Sequence, residues 1–409
     1  MTLFYIIVLF IVAEFILSTV LNKLNASWLT KPIPAELDNI YDNEKYQQQQ
    51  LFSKARHKFE SIQSIIMLTV TLGFLFLNGF SFLDNICANF TQNLLLQAII
   101  YILVLSIAVE IIGLPFSIYN TFVIEQKFGF NTTTPKIFVT DTLKNLLLNL
   151  ILTTALYSAI YWFYTIAGQN FWVYAWLIVA CFSLFMSVFY SSLIVPLFNK
   201  QTPLPDGELR NAISEFSQKV GFNLDGVFVI DNSKRSNRAN AYFTGLFKKK
   251  RIVLYDTLIN QMTTEEIVAV LAHEVGHYKK RHIVSSLIFG LLQMGIILFV
   301  FSLFVSRPEL SAALGVATPK FHISLIAFSF LYTPISIFTG LLTNIFSRRN
   351  EYQADEFAAQ NSSAENLISG LKKLARNNLS NLTPHPAYVW VNYSHPALYQ
   401  RIMQLKKNK

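Results

Sequence analysis

Long runs of apolar residues are the feature that most restricts how this 409-residue chain can fold. A run of about 20 apolar residues is long enough for an α-helix to cross the hydrocarbon core of a bilayer. One such run could be a buried core helix. Seven of them, in a chain with only 14% charged residues, predict an integral membrane protein. The seven runs are residues 3–21, 62–80, 94–119, 146–167, 171–198, 283–305 and 321–346.

The first run has the alternative interpretation of a secretory signal peptide. No basic segment precedes it, it is longer than the apolar part of a typical signal peptide, and it has no clear small-residue cleavage site. We therefore expect it to be retained as a membrane span.

Basic residues mark one side of the predicted membrane. All but two of the 33 lysine and arginine residues lie in loops or tails on that side, and the opposite loops contain only Arg307 and Lys320. Because basic loops favour the cytosol, we expect the N-terminus outside and the C-terminus in the cytosol. This topology accounts for the pI near 9.3 without a nucleic-acid partner, and it would suit anionic lipids. A bacterial inner membrane and an endoplasmic reticulum membrane both fit.

Two polar segments on the cytosolic side, residues 199–282 and 347–409, are large enough to contribute to a domain. Neither is long enough to bury a core alone, so we predict one α+β domain split by the last two spans. The predicted fold is therefore mainly α, a polytopic membrane protein with seven transmembrane helices. Spans 1–5 occupy residues 1–198, and spans 6 and 7 occupy residues 283–346.

The first polar segment has recognisable local patterns. The sequence ELRNAISEFSQKVGF is typical of an amphipathic helix. Three short runs rich in β-forming residues follow it, GVFVID (226–231), NAYFTG (240–245) and RIVLYD (251–256).

The sequence HEVGH comes next, on a helix with a well-marked start. Thr263 and Glu266 have the spacing of a capping box. His273 and His277 are four residues apart, so they share a helical face and can bind one metal ion. Glu274 projects near that face, where its carboxylate can accept a proton from water. The pattern is typical of a zinc protease, and a chance pair of histidines is the alternative.

A catalytic zinc usually has three protein ligands and an open position for water. The sequence RRNEYQADEFAAQ after the last apolar run contains Glu351 and Asp355, again four residues apart on one helical face. Glu351 can be the third ligand, and Asp355 can hold the imidazole N–H of a ligand histidine. The two roles could be exchanged, and a solvated helix with an acidic stripe is the remaining alternative.

At this point the chain resembles the type I CAAX prenyl protease family, the zinc metalloproteases with seven spans. The resemblance rests on HEVGH, SRRNEYQAD, the seven spans and the histidine-bearing insert between spans 5 and 6. The segment GLPFSIYNTFVIEQKFGFN (113–131), the tripeptide NAY and the sequence HPALYQRI are similar to further parts of the family pattern. The resemblance covers nearly the whole chain.

The resemblance implies a split, zincin-like catalytic domain and one Zn²⁺ per chain, bound by His273, His277 and Glu351. It implies Glu274 as general base and acid, and Asp355 as support for a ligand histidine.

The resemblance also implies residues that contact the substrate. A strand holding Asn240, Ala241 and Tyr242 would pair with the substrate backbone, as an exposed strand edge can do. His395 would contact the reacting carbonyl or the substrate, with Arg401 supporting nearby. The residues alone allow an ordinary edge strand, an ordinary helix start and a solvated arginine at these positions.

The function that the resemblance implies is hydrolysis of peptide bonds near the C-terminus of prenylated CAAX proteins, at the cytosolic side. One alternative keeps the chemistry but assigns it to membrane-protein quality control without a prenyl requirement. The other is a non-enzymatic seven-span transporter or scaffold with a structural zinc, which would need a fourth protein ligand. The expected partners are a peptide or protein substrate and the lipid bilayer, with no obligate protein partner.

Several polar or reactive residues stand outside this pattern. Ionisable residues within spans are a sign of function. The resemblance implies that Glu14 and Glu110 line a water-filled interior, and interhelical hydrogen bonds are the alternative. Cys87 and Cys181 lie at different predicted depths, so no disulfide is expected. The remaining histidines are expected to be structural or surface residues, namely His57, His282, His322 and His385.

Overall fold

The structure, a computed structural model, describes residues 2–222, 224, 226–244 and 251–407. Seventeen α-helices occur in this part of the chain. They are α1 (Thr2–Ser27), α2 (Asn43–Phe76), α3 (Gly79–Phe90), α4 (Leu94–Tyr119), α5 (Pro135–Ala167), α6 (Phe171–Leu193), α7 (Val195–Phe198), α8 (Glu208–Lys219), α9 (Asp256–Ile259), α10 (Thr264–Lys279), α11 (His282–Phe304), α12 (Pro308–Ala312), α13 (Phe321–Leu331), α14 (Thr333–Asn361), α15 (Ala364–Asn377), α16 (Pro386–Asn392) and α17 (Leu398–Lys407).

Five helical segments of the described chain are long and apolar enough to cross a membrane, and a bent pair of helices makes a sixth. At most 17% of the most apolar window of each of the five is buried, as expected for helices that face lipid. The seven predicted spans are therefore not confirmed. The five segments are Thr2–Thr30, Asn43–Phe76, Leu94–Glu125, Pro135–Phe198 and His282–Phe304.

Two features account for the difference in number. Pro135–Phe198 counts once although it contains both α5 and α6, because only a 3₁₀ turn separates these helices. The predicted last span is broken at Tyr332, where α13 and α14 meet at an angle of 57°. Pro334 lies in the first turn of α14 and has no N–H to donate, so it cannot continue the hydrogen bonds of α13.

Helix α4 contains Pro115 and continues into a π-helical segment, Asn120–Glu125. The end of this segment is tied to the chain before the edge strand of the sheet. Glu125 pairs with Arg238 at 3.0 Å, and the guanidinium of Arg238 lies 4.1 Å from the ring centroid of Phe130. The chain that follows the third span therefore helps to position the sheet.

The four strands form one mixed sheet with the order β1-β2-β4-β3. β2 and β4 are parallel, and β1 and β3 pair antiparallel to them, so β3 forms an edge of the sheet in the described chain. The predicted β-rich runs are confirmed to within one residue, although Gly245 lies outside the described residues. β1 was missed because it is short and contains a proline. The strands are β1 (Gln201–Pro203), β2 (Gly226–Ile230), β3 (Ala241–Thr244) and β4 (Arg251–Tyr255).

The two polar segments pack together, because α10 lies against α8, α14 and α15. Their shared core is built from small and aliphatic side chains such as Ala269, Val275, Ala358 and Leu367. The predicted capping box at the start of α10 is confirmed by reciprocal hydrogen bonds between Thr263 and Glu266. Glu266 also accepts hydrogen bonds from Ser369 and Lys373 of α15, both at 2.7 Å, so the helix start is joined to the C-terminal segment.

Candidate metal centre

Helices α10 and α14 bring three potential metal-binding side chains together. Nε2 of His273 lies 3.2 Å from Nε2 of His277. The carboxylate of Glu351 lies 3.4 Å from the first nitrogen and 3.3 Å from the second. One ligand atom from each residue falls within 4.8 Å of the others. His273 and Glu351 are buried, and His277 is half-buried.

These atoms are arranged as a cation would require. Oε2 of Glu351 is buried and accepts no hydrogen bond from the described residues. A buried carboxylate oxygen without a partner is energetically unfavourable, as are two ring nitrogens whose lone pairs face each other. A bound divalent cation would satisfy all three groups, and zinc prefers histidine nitrogen and carboxylate oxygen ligands. The residues present therefore fit a zinc ion.

Asp355 and Arg401 hold His273 from the other side. Nδ1 of His273 lies 2.8 Å from Oδ1 of Asp355, so this nitrogen donates to the carboxylate and Nε2 is left with its lone pair. Arg401 donates two hydrogen bonds to Asp355, at 2.6 and 2.8 Å. Both side chains are buried, and the arginine fork compensates the carboxylate charge.

The electrostatics of His273 favour positive charge. Burial lowers the pKa of His273, but the neighbouring carboxylates of Asp355 and Glu351 outweigh it and raise the pKa to about 9. The same carboxylates would stabilise a bound metal cation in place of the proton.

His277 has a partner that the sequence pattern did not reveal. Nδ1 of His277 lies 3.1 Å from Nδ1 of His282, whose Nε2 lies 2.8 Å from the amide oxygen of Gln353. His282 was expected to be a structural or surface residue, but it is buried and contacts a candidate ligand. No helical spacing signals this contact, because His282 begins a new helix.

Glu274 is half-buried on α10, next in sequence to His273. Burial lowers the pKa of Arg401, but Asp355, Glu351 and, to a smaller extent, the charge of Glu274 outweigh it and raise this pKa above its ordinary value. His395 also reaches the site, because its Nε2 lies 3.3 Å from Oε1 of Glu351. Its side chain is 61% exposed, so a substrate could contact it.

A cavity of about 680 Å³ lies beside this group of residues. His395 and Arg401 line it, together with aromatic and charged side chains from α2 and the C-terminal segment. The metal-binding groups therefore lie next to a space large enough for part of a peptide.

The structure places the predicted substrate strand beside the HEVGH helix, since β3 contacts α10. Ala241 and Tyr242 lie in β3, but Asn240 precedes the strand and is exposed. The Asn240 side-chain oxygen accepts a hydrogen bond from the backbone N–H of Ala241 at 2.9 Å. The assigned strand therefore begins one residue after Asn240, within one residue of the predicted run. The backbone carbonyl of Asn240 accepts a hydrogen bond from the N–H of Tyr255 at 3.1 Å, so this residue is still joined to β4.

The other predicted polar residues do not join the site. Glu14 and Glu110 are exposed on α1 and α4, and neither has a hydrogen-bond partner among the described residues. Cys87 is buried, Cys181 is exposed, and both are free.

Comparison with known proteins decides the family. Residues 23–200 match the family described as "CAAX prenyl protease N-terminal, five membrane helices". Residues 203–409 match the one described as "Peptidase family M48". The chain belongs to peptidase family M48. The predicted resemblance is thereby confirmed, and the apolar helices together with this family make the chain an integral membrane metalloprotease.

Relatives in family M48 match over most of their length. The CAAX prenyl protease 1 homologues of Mus musculus and Homo sapiens are 31% and 32% identical, and each match covers 93% of this chain and 90% of the relative. CAAX prenyl protease 1 of Saccharomyces cerevisiae is 33% identical over 91% of this chain and 88% of the relative. The crystal structure of S. mikatae Ste24p is 33% identical with a TM-score of 0.94, covering 98% of this chain and 99% of that one.

Proposed function

We propose that this protein is a zinc endopeptidase that cleaves prenylated CAAX substrates near their C-terminus. The observation that carries the proposal is the group of facing ligand atoms on His273, His277 and Glu351, including the buried, unpartnered oxygen of Glu351. The names of the relatives supply the substrate class. Three protein ligands in the described chain suit a catalytic site with an open position, whereas a structural zinc site has four.

His273, His277 and Glu351 would hold the zinc ion, with Asp355 and Arg401 orienting His273. When bound, zinc supplies a Lewis acid that polarises the scissile carbonyl and activates water. Glu274 accepts the proton of the attacking water and returns it to the departing amine. His395 is exposed beside Glu351, where its N–H can donate to the carbonyl oxygen as negative charge develops.

The substrate backbone would pair with the open edge of β3, at Ala241 and Tyr242, with Asn240 at the start of the strand. Edge pairing aligns a peptide without selecting its side chains. The salt bridge between Glu125 and Arg238, two residues before Asn240, would hold this edge in position relative to the membrane helices.

We further propose that Pro135–Phe198 crosses the membrane twice. α5 and α6 contain 33 and 23 residues, each long enough for one crossing, and the two helices pack against each other. With the bent pair α13 and α14 as one span, the total is seven. The distribution of basic residues then supports an outside N-terminus and a cytosolic C-terminus, in an endoplasmic reticulum or bacterial inner membrane.

The catalytic domain would combine two segments, residues 199–282 and 347–409. The membrane portions would be residues 1–198, before the first segment, and residues 283–346, between the two segments. The contact of α10 with α14 and α15 supports this division.

The test uses the purified full chain in detergent, with bound zinc measured by elemental analysis. Cleavage of a farnesylated CAAX peptide and of the same peptide without the lipid is compared for wild type, Glu274→Ala and Glu265→Ala. Glu265 is an exposed glutamate at the start of the same helix and serves as the matched control. We expect one zinc in all three proteins, with cleavage lost only in Glu274→Ala.

Preference for the farnesylated peptide would support the substrate class. Equal cleavage of both peptides would contradict the prenyl requirement. A folded wild type that binds zinc but cleaves neither peptide would contradict the proteolytic function.

A further inference from the structure

Each candidate histidine ligand is held by a second side chain through the ring nitrogen that faces away from the other ligands. For His273 this partner is Asp355, at 2.8 Å. For His277 it is His282, at 3.1 Å, and His282 in turn contacts Gln353 at 2.8 Å. Two side chains, Gln353 and His282, therefore form a series of hydrogen-bond contacts that leads to His277.

The direction of the hydrogen bonds follows from what each atom can do. The amide oxygen of Gln353 only accepts, so Nε2 of His282 carries the proton and Nδ1 of this neutral ring accepts. Nδ1 of His277 then donates to His282, which leaves Nε2 of His277 unprotonated. That nitrogen is the one that faces His273 and Glu351. A metal binds histidine through an unprotonated nitrogen. The hydrogen bonds that link His277 to His282 and His282 to Gln353 therefore select the tautomer of His277 that can bind a metal.

The backbone takes an unusual path to place His282. α10 ends at Lys279, Arg281 adopts a left-handed conformation with φ of 60°, and α11 begins at His282. A residue with a Cβ rarely adopts this conformation. In an uninterrupted helix, a residue five positions after His277 would point about 140° away from it. The break at Arg281 instead brings the two imidazoles together.

We propose that His282 is a positioning residue that holds His277 in the metal-binding tautomer, and that Gln353 fixes the tautomer of His282. The proposal rests on the zinc site proposed above. A neutral partner suits this position because the site already contains the buried carboxylates of Glu351 and Asp355. A histidine orients His277 without adding a further buried negative charge.

The test compares His282→Leu, which removes the acceptor, with His282→Asn, whose amide oxygen can take the place of Nδ1. The full chain is purified in detergent, and its Kd for zinc is measured by competition with a chelator. We expect His282→Leu to weaken zinc binding about 10- to 100-fold and His282→Asn to retain most of the affinity. Gln353→Leu should weaken it less, and it carries the test if His282→Leu does not fold.

His322→Leu is the matched control, because His322 is also buried and hydrogen-bonded, to Asp84 at 2.9 Å, but contacts none of the ligands. It should keep the wild-type Kd for zinc. Wild-type affinity in folded His282→Leu, or equal losses in His282→Leu and His282→Asn, would overturn the positioning role alone. Absence of zinc binding by the wild type would overturn the zinc site and this role with it.

Discussion

A Cβ atom added to Gly276 would lie 3.1 Å from both Cα and the carbonyl oxygen of Ala354. It would also lie 3.2 Å from Cβ of Phe357. These distances are shorter than ordinary van der Waals contacts, and two of the atoms belong to the backbone of α14. The glycine of HEVGH therefore allows α10 and α14 to approach closely enough to bring His273 and Glu351 together.

Gly276→Ala is expected to push α10 away from α14 and to weaken zinc binding and peptide cleavage by about tenfold or more. Overpacking at such a contact destabilises a protein by about 1–3 kcal/mol, which equals or exceeds the roughly 1 kcal/mol that alanine gains over glycine in a helix. Zinc titration and thermal unfolding of the purified variant measure both effects. Gly290→Ala is the control, since a Cβ at Gly290 on α11 meets no atom within 4 Å. Equal zinc affinity in the two variants would contradict the close-approach argument.

The pair formed by Arg401 and Asp355 gives a second prediction. Removing one partner of a buried ion pair destabilises a protein by about 3–5 kcal/mol. Arg401→Ala should therefore lower thermal stability, and zinc affinity should fall about 10- to 100-fold because Asp355 no longer holds His273 correctly.

Arg401→Lys separates charge from geometry. A lysine keeps the positive charge but cannot donate two parallel hydrogen bonds to one carboxylate. We expect its zinc affinity to lie between those of wild type and Arg401→Ala, as measured by chelator competition. Wild-type affinity in Arg401→Lys would show that the bidentate contact is unnecessary.

The position of β3 at an edge of the sheet, among the strands that the structure describes, predicts how modified peptides behave. A peptide added to this edge presents alternate backbone N–H groups to β3. N-methylation of an amide that faces the strand removes a hydrogen bond worth about 1 kcal/mol and adds a steric clash, so kcat/KM should fall by on the order of tenfold. The control peptide carries the methyl group one residue further along, where the N–H points away. Equal losses for the two peptides would exclude pairing with β3.

Much of the metal site could be predicted because its parts obey local periodicity. His273 and His277 are four residues apart on one helix, as are Glu351 and Asp355 on another, and each pair shares a helical face. The start of α10 was equally predictable, since a capping box is a local signal.

Features that depend on breaks or on distant contacts could not be predicted in this way. The contact of His282 with His277 depends on one left-handed residue, Arg281, which no periodic pattern signals. The bend between α13 and α14 interrupts a run that is continuous in hydrophobicity, and only Pro334 marks its position in the sequence. The start of β3 was predicted one residue early, because exact strand boundaries depend on the pattern of hydrogen bonds to β4 rather than on composition.

A buried polar cluster away from the metal site also depends on contacts between distant parts of the sequence. Asp84 on α3 accepts hydrogen bonds from Lys320 at 2.6 Å and from His322 at 2.9 Å. Cys87 and Tyr101 are the other titratable groups beside it. Gln97 of α4 also donates to Asp84 at 3.0 Å, but Lys320 and His322 are more than 230 residues away in sequence, so no local pattern signals the cluster.

This cluster predicts a stability that depends on pH. Burial raises the pKa of Asp84, but hydrogen bonds from His322 and Lys320 and the charge of Lys320 outweigh it and hold the pKa below its ordinary value of 3.8. A carboxyl group whose pKa is lower in the folded protein than in the unfolded chain stabilises the folded state. This contribution is complete above the unfolded-state pKa and is lost as the pH falls through the folded-state pKa. Asp84→Asn should therefore lower the free energy of unfolding by about 3 kcal/mol at neutral pH, with a difference that shrinks below about pH 4.

Thermal unfolding of both proteins in detergent between pH 3 and 7 measures this difference, with Glu309→Gln, an acidic residue at the start of α12, as control. A difference that stays constant down to pH 3, or a neutral-pH loss no larger than that of the control, would show that the ion pair does not stabilise this end of the helices.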